Sequence, residues 1–399
     1  MTQPAPISGD VSKVIEAFPD ADLIKLIDDD LFVVVDYNFS KNSTDIQIYD
    51  ASKDSIVNDF SVAEVSYSIV PKIIDGQGFG VAFDYTKYSG NDNGVIGFYY
   101  SIKDNEVTKF ETTFDKEWNY WDSCAFAPDG SAMYILLDDR SICACGYNFN
   151  PDFKTRLIEV NADGSGDNTI VEYDHHTSLQ LTGTTDDGRL VVTYTEDPND
   201  YPHRTHEEFE MMSLQALNSD TEPGKIEHGL AFIDPGNFTD PDQTSVIKEA
   251  AMDKITVLPD GCRQMVYRQG SFICFTDDKI IKLAPDSNGV INEAVYDCNI
   301  PDNVEYFSYE DKYVSSNGDY VVFSARYKDK TGSMLYIIHF DNDDVKTVLE
   351  EANDSKMIDL TDYYGPVIFD EEDGVFYARY DDTSTDNMER NPYQINIDK

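Results

Sequence analysis

Basic residues are what this chain has least of for its size. Its 399 residues hold 30 Lys and Arg against 76 Asp and Glu, a formal net charge of -46. A surface so poor in cations cannot neutralise phosphates, which excludes nucleic acid and anionic membrane surfaces as partners and makes cations the expected company. Long apolar runs are missing as well. No stretch approaches about 18 consecutive apolar residues, so no helix crosses a membrane, and helical periodicity nowhere persists beyond about a dozen residues. Cysteine is sparse, with Cys124, Cys143, Cys145, Cys262, Cys274 and Cys298. Cys143-Ala144-Cys145 has no second close pair, which argues against structural zinc and leaves a disulfide from Cys124 to Cys143 or Cys145, or else buried thiols. There is no Walker loop, no dinucleotide fingerprint after a strand and no Gly-x-Ser-x-Gly elbow.

What the chain does have is a recurring tight turn before a short apolar strand. The turns are Asp28-Asp29-Asp30 before LFVVVDY, Asp75-Gly76 before FGVAFDY, Pro128-Asp129-Gly130 before AMYILLD and Asp186-Asp187-Gly188 before RLVVTYT. Pro259-Asp260-Gly261, Asn317-Gly318 and Asp373-Gly374 continue the series, and the spacing runs from 46 to 73 residues. Gly, Asn and Asp supply the positive φ that short hairpins need, and the β-branched and aromatic runs suit buried strands. A third strand follows in nearly every unit and a more polar fourth in six, among them NTIVEYD, TSVIKEA and INEAVYD. The fifth hairpin divides either at Gly261 or at Gly270-Ser271.

A repeat of this length with four strands predicts an all-β chain, a seven-bladed β-propeller with four-stranded antiparallel blades. Residues 1–10 read as a linker and 11–399 as one domain, with an insertion at 196–228 in the fourth blade. The seventh unit has no fourth strand of its own. The segment 11–18, VSKVIEAF, is expected to supply it and close the ring, the alternative being a short amphipathic helix packed on one face. A second helix is expected at 205–217, where Thr205 and Glu208 form a capping-box pattern.

Phe126-Ala127-Pro128-Asp129-Gly130, and in part Leu258-Pro259-Asp260-Gly261, resemble the turn that precedes a strand in the TolB-like and WD-repeat propellers. The resemblance implies blade shape and carries no catalytic residues, because such rings serve as enzyme domains, scaffolds and binding modules alike.

Function is expected at the long connections, which leave together from one face. Trp118, Tyr120, Trp121, Tyr306, Tyr309, Tyr363 and Tyr364 would put aromatic faces there beside Arg204, a set suited to a protein, peptide or glycan ligand. His175, His176, His203 and His206 with nearby carboxylates would suit zinc or manganese. Asn161-Ala162-Asp163-Gly164-Ser165-Gly166-Asp167 alternates oxygen donors in a turn, as calcium would want, or is a solvated hairpin. The favoured expectation is a secreted, periplasmic or cell-surface binding module. The other is a metal-dependent lyase or hydrolase acting on a glycan or peptide at the same face.

Overall fold

The structure is a computed structural model. It describes residues 10–19, 21–28, 30–38, 40–41, 43–62, 72–74, 77–86, 93–114, 118–139, 153–162, 167–174, 176–198, 227–238, 252–258, 262, 264–268, 270–276, 279–285, 291–297, 304–314, 320–327, 333–340, 344–351, 356–359, 368–370, 375–382 and 391–396. The chain falls into two units, one of residues 1–78 with 260–399 and one of residues 79–259.

Successive four-stranded antiparallel meanders, the blade unit of a propeller, account for nearly all the regular structure. In the first unit, β1 (Leu23–Asp28), β2 (Leu31–Asn38), β3 (Ser43–Asp50) and β4 (Ser55–Val62) pair in order. Phe32, Val33, Val34 and Val35 of β2 are all buried, so both faces of that strand are covered, whereas Ile56 on the outer strand β4 is 46% exposed. Burial of each large side chain is worth about 2 kcal/mol, so β2 alone outweighs any surface ion pair of the sheet.

After β5 (Lys72–Ile74) the second unit carries β6 (Gly78–Thr86), β7 (Asn93–Ser101) and β8 (Glu106–Phe114), which pair in order. It also holds the meanders β9 (Asn119–Phe126), β10 (Ala132–Asp138), β11 (Thr155–Asn161), β12 (Asp167–Tyr173), then β13 (Thr177–Thr184), β14 (Leu190–Glu196), β15 (Glu227–Ile233), β16 (Met252–Val257). The fourth strand of this last meander is 252–257, eight residues beyond the TSVIKEA expected for it; that segment lies outside the described residues.

Back in the first unit come β17 (Gln264–Arg268), β18 (Ser271–Phe275), β19 (Lys279–Pro285), β20 (Ile291–Asp297), and β21 (Val304–Val314), β22 (Tyr320–Tyr327), β23 (Ser333–His339), β24 (Asp344–Glu351). The hairpin of β17 and β18 turns at Gly270, whose φ is +78°, and not at Gly261. A register shift between third and fourth strands recurs at Ile48/Tyr49, Leu157/Ile158, Leu230/Ala231 and Leu335/Tyr336. Such bulges increase the local twist of the outer strand.

The last sheet departs from the pattern. β25 (Lys356–Asp359) and β26 (Ile368–Asp370) pair with successive halves of one edge of β27 (Val375–Asp382), and β28 (Asn391–Asn396) pairs with the other. The expected closing strand at 11–18 is corrected by the structure: Asp10–Ala17 is the helix α1. Its apolar residues Val11, Val14, Ile15 and Phe18 fall at i, i+3, i+4 and i+7, one helical stripe and not a strand's alternation. Val11 and Val14 bury against Ile24, Phe32, Val34 and Tyr49 of the first sheet, and the Phe18 ring meets Tyr49 edge-on at 5.3 Å. Pro19 stops the helix, since the residue before a proline avoids the α conformation.

Candidate functional site: the loop-bearing end of two sheets

Two neighbouring meanders of the second unit, β9–β12 and β13–β16, share a core that includes Tyr134, Leu157, Tyr173, Leu190, Tyr194 and Ala231. Their first strands, β9 and β13, are stitched by side chains. The buried Ser123 hydroxyl accepts from the Leu181 amide at 2.9 Å, and the Thr184 hydroxyl donates to the Phe126 carbonyl at 3.1 Å. The two ends of these sheets differ in kind.

At one end are the tight turns. The Gly130 amide donates to the Ala127 carbonyl and the Gly188 amide to the Thr185 carbonyl, each at 2.9 Å. Asp129 accepts from the Ser131 amide, and Asp187 accepts from the Thr185 hydroxyl and from Arg189. Both aspartates are held below the usual carboxylate range, Asp129 chiefly by Ser131 and Asp187 by Thr185 and then Arg189. The aspartates and glycines of both turns bond within a few residues, and the Pro128 carbonyl also accepts from the Tyr99 hydroxyl at 2.7 Å.

At the other end β9 and β11 begin while β10 and β12 finish, and the long β10-to-β11 and β14-to-β15 connections leave from it. Here Arg156 stands opposite Glu172 in the ladder, and its Nε and Nη2 both donate to Glu172 Oε2, at 3.0 and 2.7 Å. Lys154 Nζ donates to Glu172 Oε1 at 2.8 Å. The Arg156 guanidinium lies 4.0 Å from the centroid of the Trp118 ring. Burial is the largest single influence on Glu172 and would raise its pKa, but hydrogen bonds from Lys154 and Arg156, with their charges, hold the carboxyl below its ordinary range. The same carboxylate raises Lys154.

The adjoining sheet repeats the theme with other residues. Glu196 and Glu227 face each other across the ladder, an unfavourable like-charge pair, and Lys254 bridges them at 2.7 and 3.5 Å. The Tyr194 hydroxyl donates to Glu227 at 2.9 Å. Tyr194 therefore ionises well above the ordinary tyrosine value, through burial first and the glutamate second. His176 Nδ1 lies 2.8 Å from the Asp197 carbonyl oxygen. A carbonyl only accepts, so Nδ1 carries a proton in this contact.

Among the described residues, two hydroxyls at this end have no partner. Thr155 and Tyr173 are paired residues of β11 and β12, each 3% exposed, and neither Thr155 Oγ1 nor Tyr173 Oη makes a hydrogen bond. Burial, and then the negative charge of Glu196, pushes the Tyr173 phenol above its ordinary value. An unsatisfied buried hydroxyl costs about 1–3 kcal/mol, and a native fold retains one only where water or a ligand completes it or where other gains offset it. A third such group, Thr112 Oγ1, lies on β8.

Of the residues expected at a site, Trp118 is here but 6% exposed, with Arg156 across its ring, so it supports the arginine and offers no open face. Tyr120 and Trp121 belong to β9, and Tyr306 and Tyr309 to β21 in the other unit, so these are strand residues; their side chains lie outside the described set. Tyr363, Tyr364, Arg204, His175, His203, His206, the helix at 205–217 and the centre of the 161–167 turn also lie outside the described residues. His176 is therefore the one histidine of the proposed metal set that is described, and no group of three or more metal-binding side chains occurs among the described residues. Cys124 is buried, and its expected disulfide partners Cys143 and Cys145 lie outside the described residues. Sequence reasoning missed Lys154, Arg156, Glu172, Tyr173 and Lys254. The available signal was that charged residues interrupt otherwise apolar strands at the ends nearest the long connections.

No protein-family description matches the chain, and no curated protein does. Among solved structures it is similar to a post-proline cleaving enzyme from Rickettsia typhi, at 9% identity and TM-score 0.48 over 94% of this chain and 51% of that one. The chain thus spans about half the length of that enzyme. It is also similar to the β-propeller domain of the trilobed protease from Pyrococcus furiosus, at 10% identity and TM-score 0.41 over 95% of both chains. A third is an oligogalacturonate lyase from Vibrio parahaemolyticus, at 10% identity and TM-score 0.47 over 95% of this chain and 90% of that one.

Proposed function

We propose that this is a propeller-type binding module that takes a peptide or glycan at the loop-bearing end of β9–β16. The observation that carries the reading is the pair of buried, partnerless hydroxyls on Thr155 and Tyr173. From the opposite face of the same two strands projects an arginine fixed by Trp118 and Glu172, with about a third of its side chain still exposed at 32%. A guanidinium held on two sides loses little entropy on gripping a carbonyl, carboxylate or sugar hydroxyl. A ligand lying across the strand ends would meet the arginine from one face of the sheet and the hydroxyls from the other. The test is to screen the labelled full chain on peptide and glycan arrays beside Arg156→Ala. Binding to a defined subset of features, lost in the variant at unchanged melting temperature, supports the reading; identical patterns for the two proteins overturn it.

The further expectations belong with this reading. The meanders are taken as blades of one seven-bladed ring, supported within the first unit by β1 lying beside β26. Small-angle scattering checks this, since a ring gives one compact particle and two separate lobes an elongated one. The acidity favours a secreted or cell-surface module, which fractionation of source cells tests, with recovery in the cytosol counting against it.

One observation favours a metal-dependent enzyme at the same end: His176 is oriented through Nδ1, which donates to a backbone carbonyl, an orienting contact common to metal-binding imidazoles. Elemental analysis of the dialysed chain decides. Zinc or manganese near one per chain, lost in His176→Ala, supports a metal-dependent lyase or hydrolase; calcium points to a cation held elsewhere in the acidic shell; a metal-free chain removes this second reading.

A further inference from the structure

The face that β13–β16 turns toward β9–β12 ends, at the loop-bearing end, in a cluster of charge. Tyr194 lies in the buried core shared with Tyr173, and the two-residue alternation of a strand puts Glu196 on the face of Tyr194. Glu227 stands opposite Glu196, and Lys254 bonds to both. The chain itself holds this cluster near Tyr173. β12 ends at Tyr173, the Thr177 amide donates to the Asp174 carbonyl at 3.0 Å, and Thr177 opens β13 opposite Glu196. The Asp197 amide donates to the His176 carbonyl at 2.8 Å, which pins the end of β14 to the same turn. Thr155 stands opposite Tyr173 in the ladder, so its hydroxyl is on this face as well. The Glu196 charge raises the Tyr173 phenol, in keeping with that placement.

We propose, resting on the reading that this end takes a peptide or glycan, that the cleft between the two sheets binds a primary ammonium group, the α-amine of a peptide or the ε-amine of a lysine side chain. Two carboxylates against one ammonium leave a negative charge in excess, and among the described residues Lys254 reaches Glu196 Oε1 while nothing bonds its Oε2. Beside that charge are the partnerless hydroxyls, Thr155 Oγ1 and Tyr173 Oη. An ammonium has three N–H donors, and Glu196 Oε2, Tyr173 Oη and Thr155 Oγ1 offer it three acceptors, the carboxylate bond being the charge-assisted one. A carboxylate would instead meet two glutamates, and a sugar hydroxyl would leave the excess charge uncompensated. The site therefore selects peptides over neutral glycans.

The test uses the full chain and saturation-transfer NMR, with alanine amide as the α-amine probe and Nα-acetyl-lysine amide as the ε-amine probe. The controls are the N-acetylated and N-trimethylated forms of each amine; the first loses the charge, and the second keeps it but has no N–H. The expected result is binding of at least one free amine, weaker by about tenfold in both controls and in Glu196→Gln. Which probe responds identifies the source of the amine. Tyr173→Phe keeps the ring and both glutamates and should weaken binding about threefold, which keeps the test readable if Glu196→Gln fails to fold. Trimethylated probes that bind as well as the free amines would mean cations merely attracted to an acidic surface, and would overturn the proposal. So would the failure of both free amines to bind. Arrays of the same peptides with amines free and acetylated separate this site from the broader reading: features bound equally in both forms overturn the amine site and leave the binding module standing.

Discussion

The tight-turn end and the loop-bearing end of β9–β16 use similar residues for opposite purposes. At the turns, Asp129 and Asp187 bond to groups two residues away, and their work ends when the chain has reversed. At the loop-bearing end, Glu172, Glu227 and Asp197 bond to partners 16 to 33 residues away, and two hydroxyls are left incomplete. The first end is built to fold, while the second carries a cost that folding alone does not explain.

The largest expected effect lies at a turn. Gly130→Ala should cost about 3 kcal/mol, because φ is +69° and the new Cβ would lie 2.2 Å from the Tyr99 ring. Thermal melting checks it, and a loss under 1 kcal/mol would mean the Tyr99 ring moves aside freely. Glu172→Gln should come next, at about 2 kcal/mol near neutral pH, since it weakens bonds to two cations at once. The folded-state pKa of Glu172 is depressed, so its contribution is present above the unfolded value and disappears as pH falls through the lower, folded one. The difference between parent and variant should therefore shrink toward zero in acid; a gap that holds constant with pH contradicts the ion-pair account.

Gly188→Ala isolates the backbone term. Its φ is +85° but nothing lies within 4 Å of the added methyl, so about 1 kcal/mol is expected, and a loss equal to that of Gly130→Ala would place the cost of both in φ alone. Lys254→Met should do least, under about 1 kcal/mol, because the lysine is 42% exposed and solvent screens it. Added salt should shrink even that difference, and a salt-independent loss would point to packing on Tyr194, which lies 4.8 Å below the ammonium.

The contrast between the ends also explains what could be read from the chain. Turns such as Pro128-Asp129-Gly130 are legible because their chemistry is confined to neighbouring residues, and the strands after them follow from β-branched and aromatic runs. The helix α1 was legible too, in the stripe of Val11, Val14, Ile15 and Phe18, but the expectation that the seventh unit lacks a fourth strand drew the segment toward a strand reading. At the fifth hairpin both Gly261 and Gly270 satisfied the turn rule, and only the ladder from Gln264–Phe275 to Arg268–Ser271 chose between them. The candidate site was largely hidden. Arg156 and Glu172 meet through the register of the consecutive strands β11 and β12, which no local motif announces, and an unpaired hydroxyl such as that of Tyr173 has no sequence signature at all.

Tyr173→Phe is the most direct measurement of the claim that the loop-bearing end holds an incomplete, ligand-seeking polar site. The account predicts that the variant is more stable than the parent by about 1 kcal/mol, because a buried partnerless hydroxyl is removed while the ring stays, and that it loses array features bound by the parent. A variant less stable than the parent, with binding unchanged, would contradict it and make that hydroxyl an ordinary structural group.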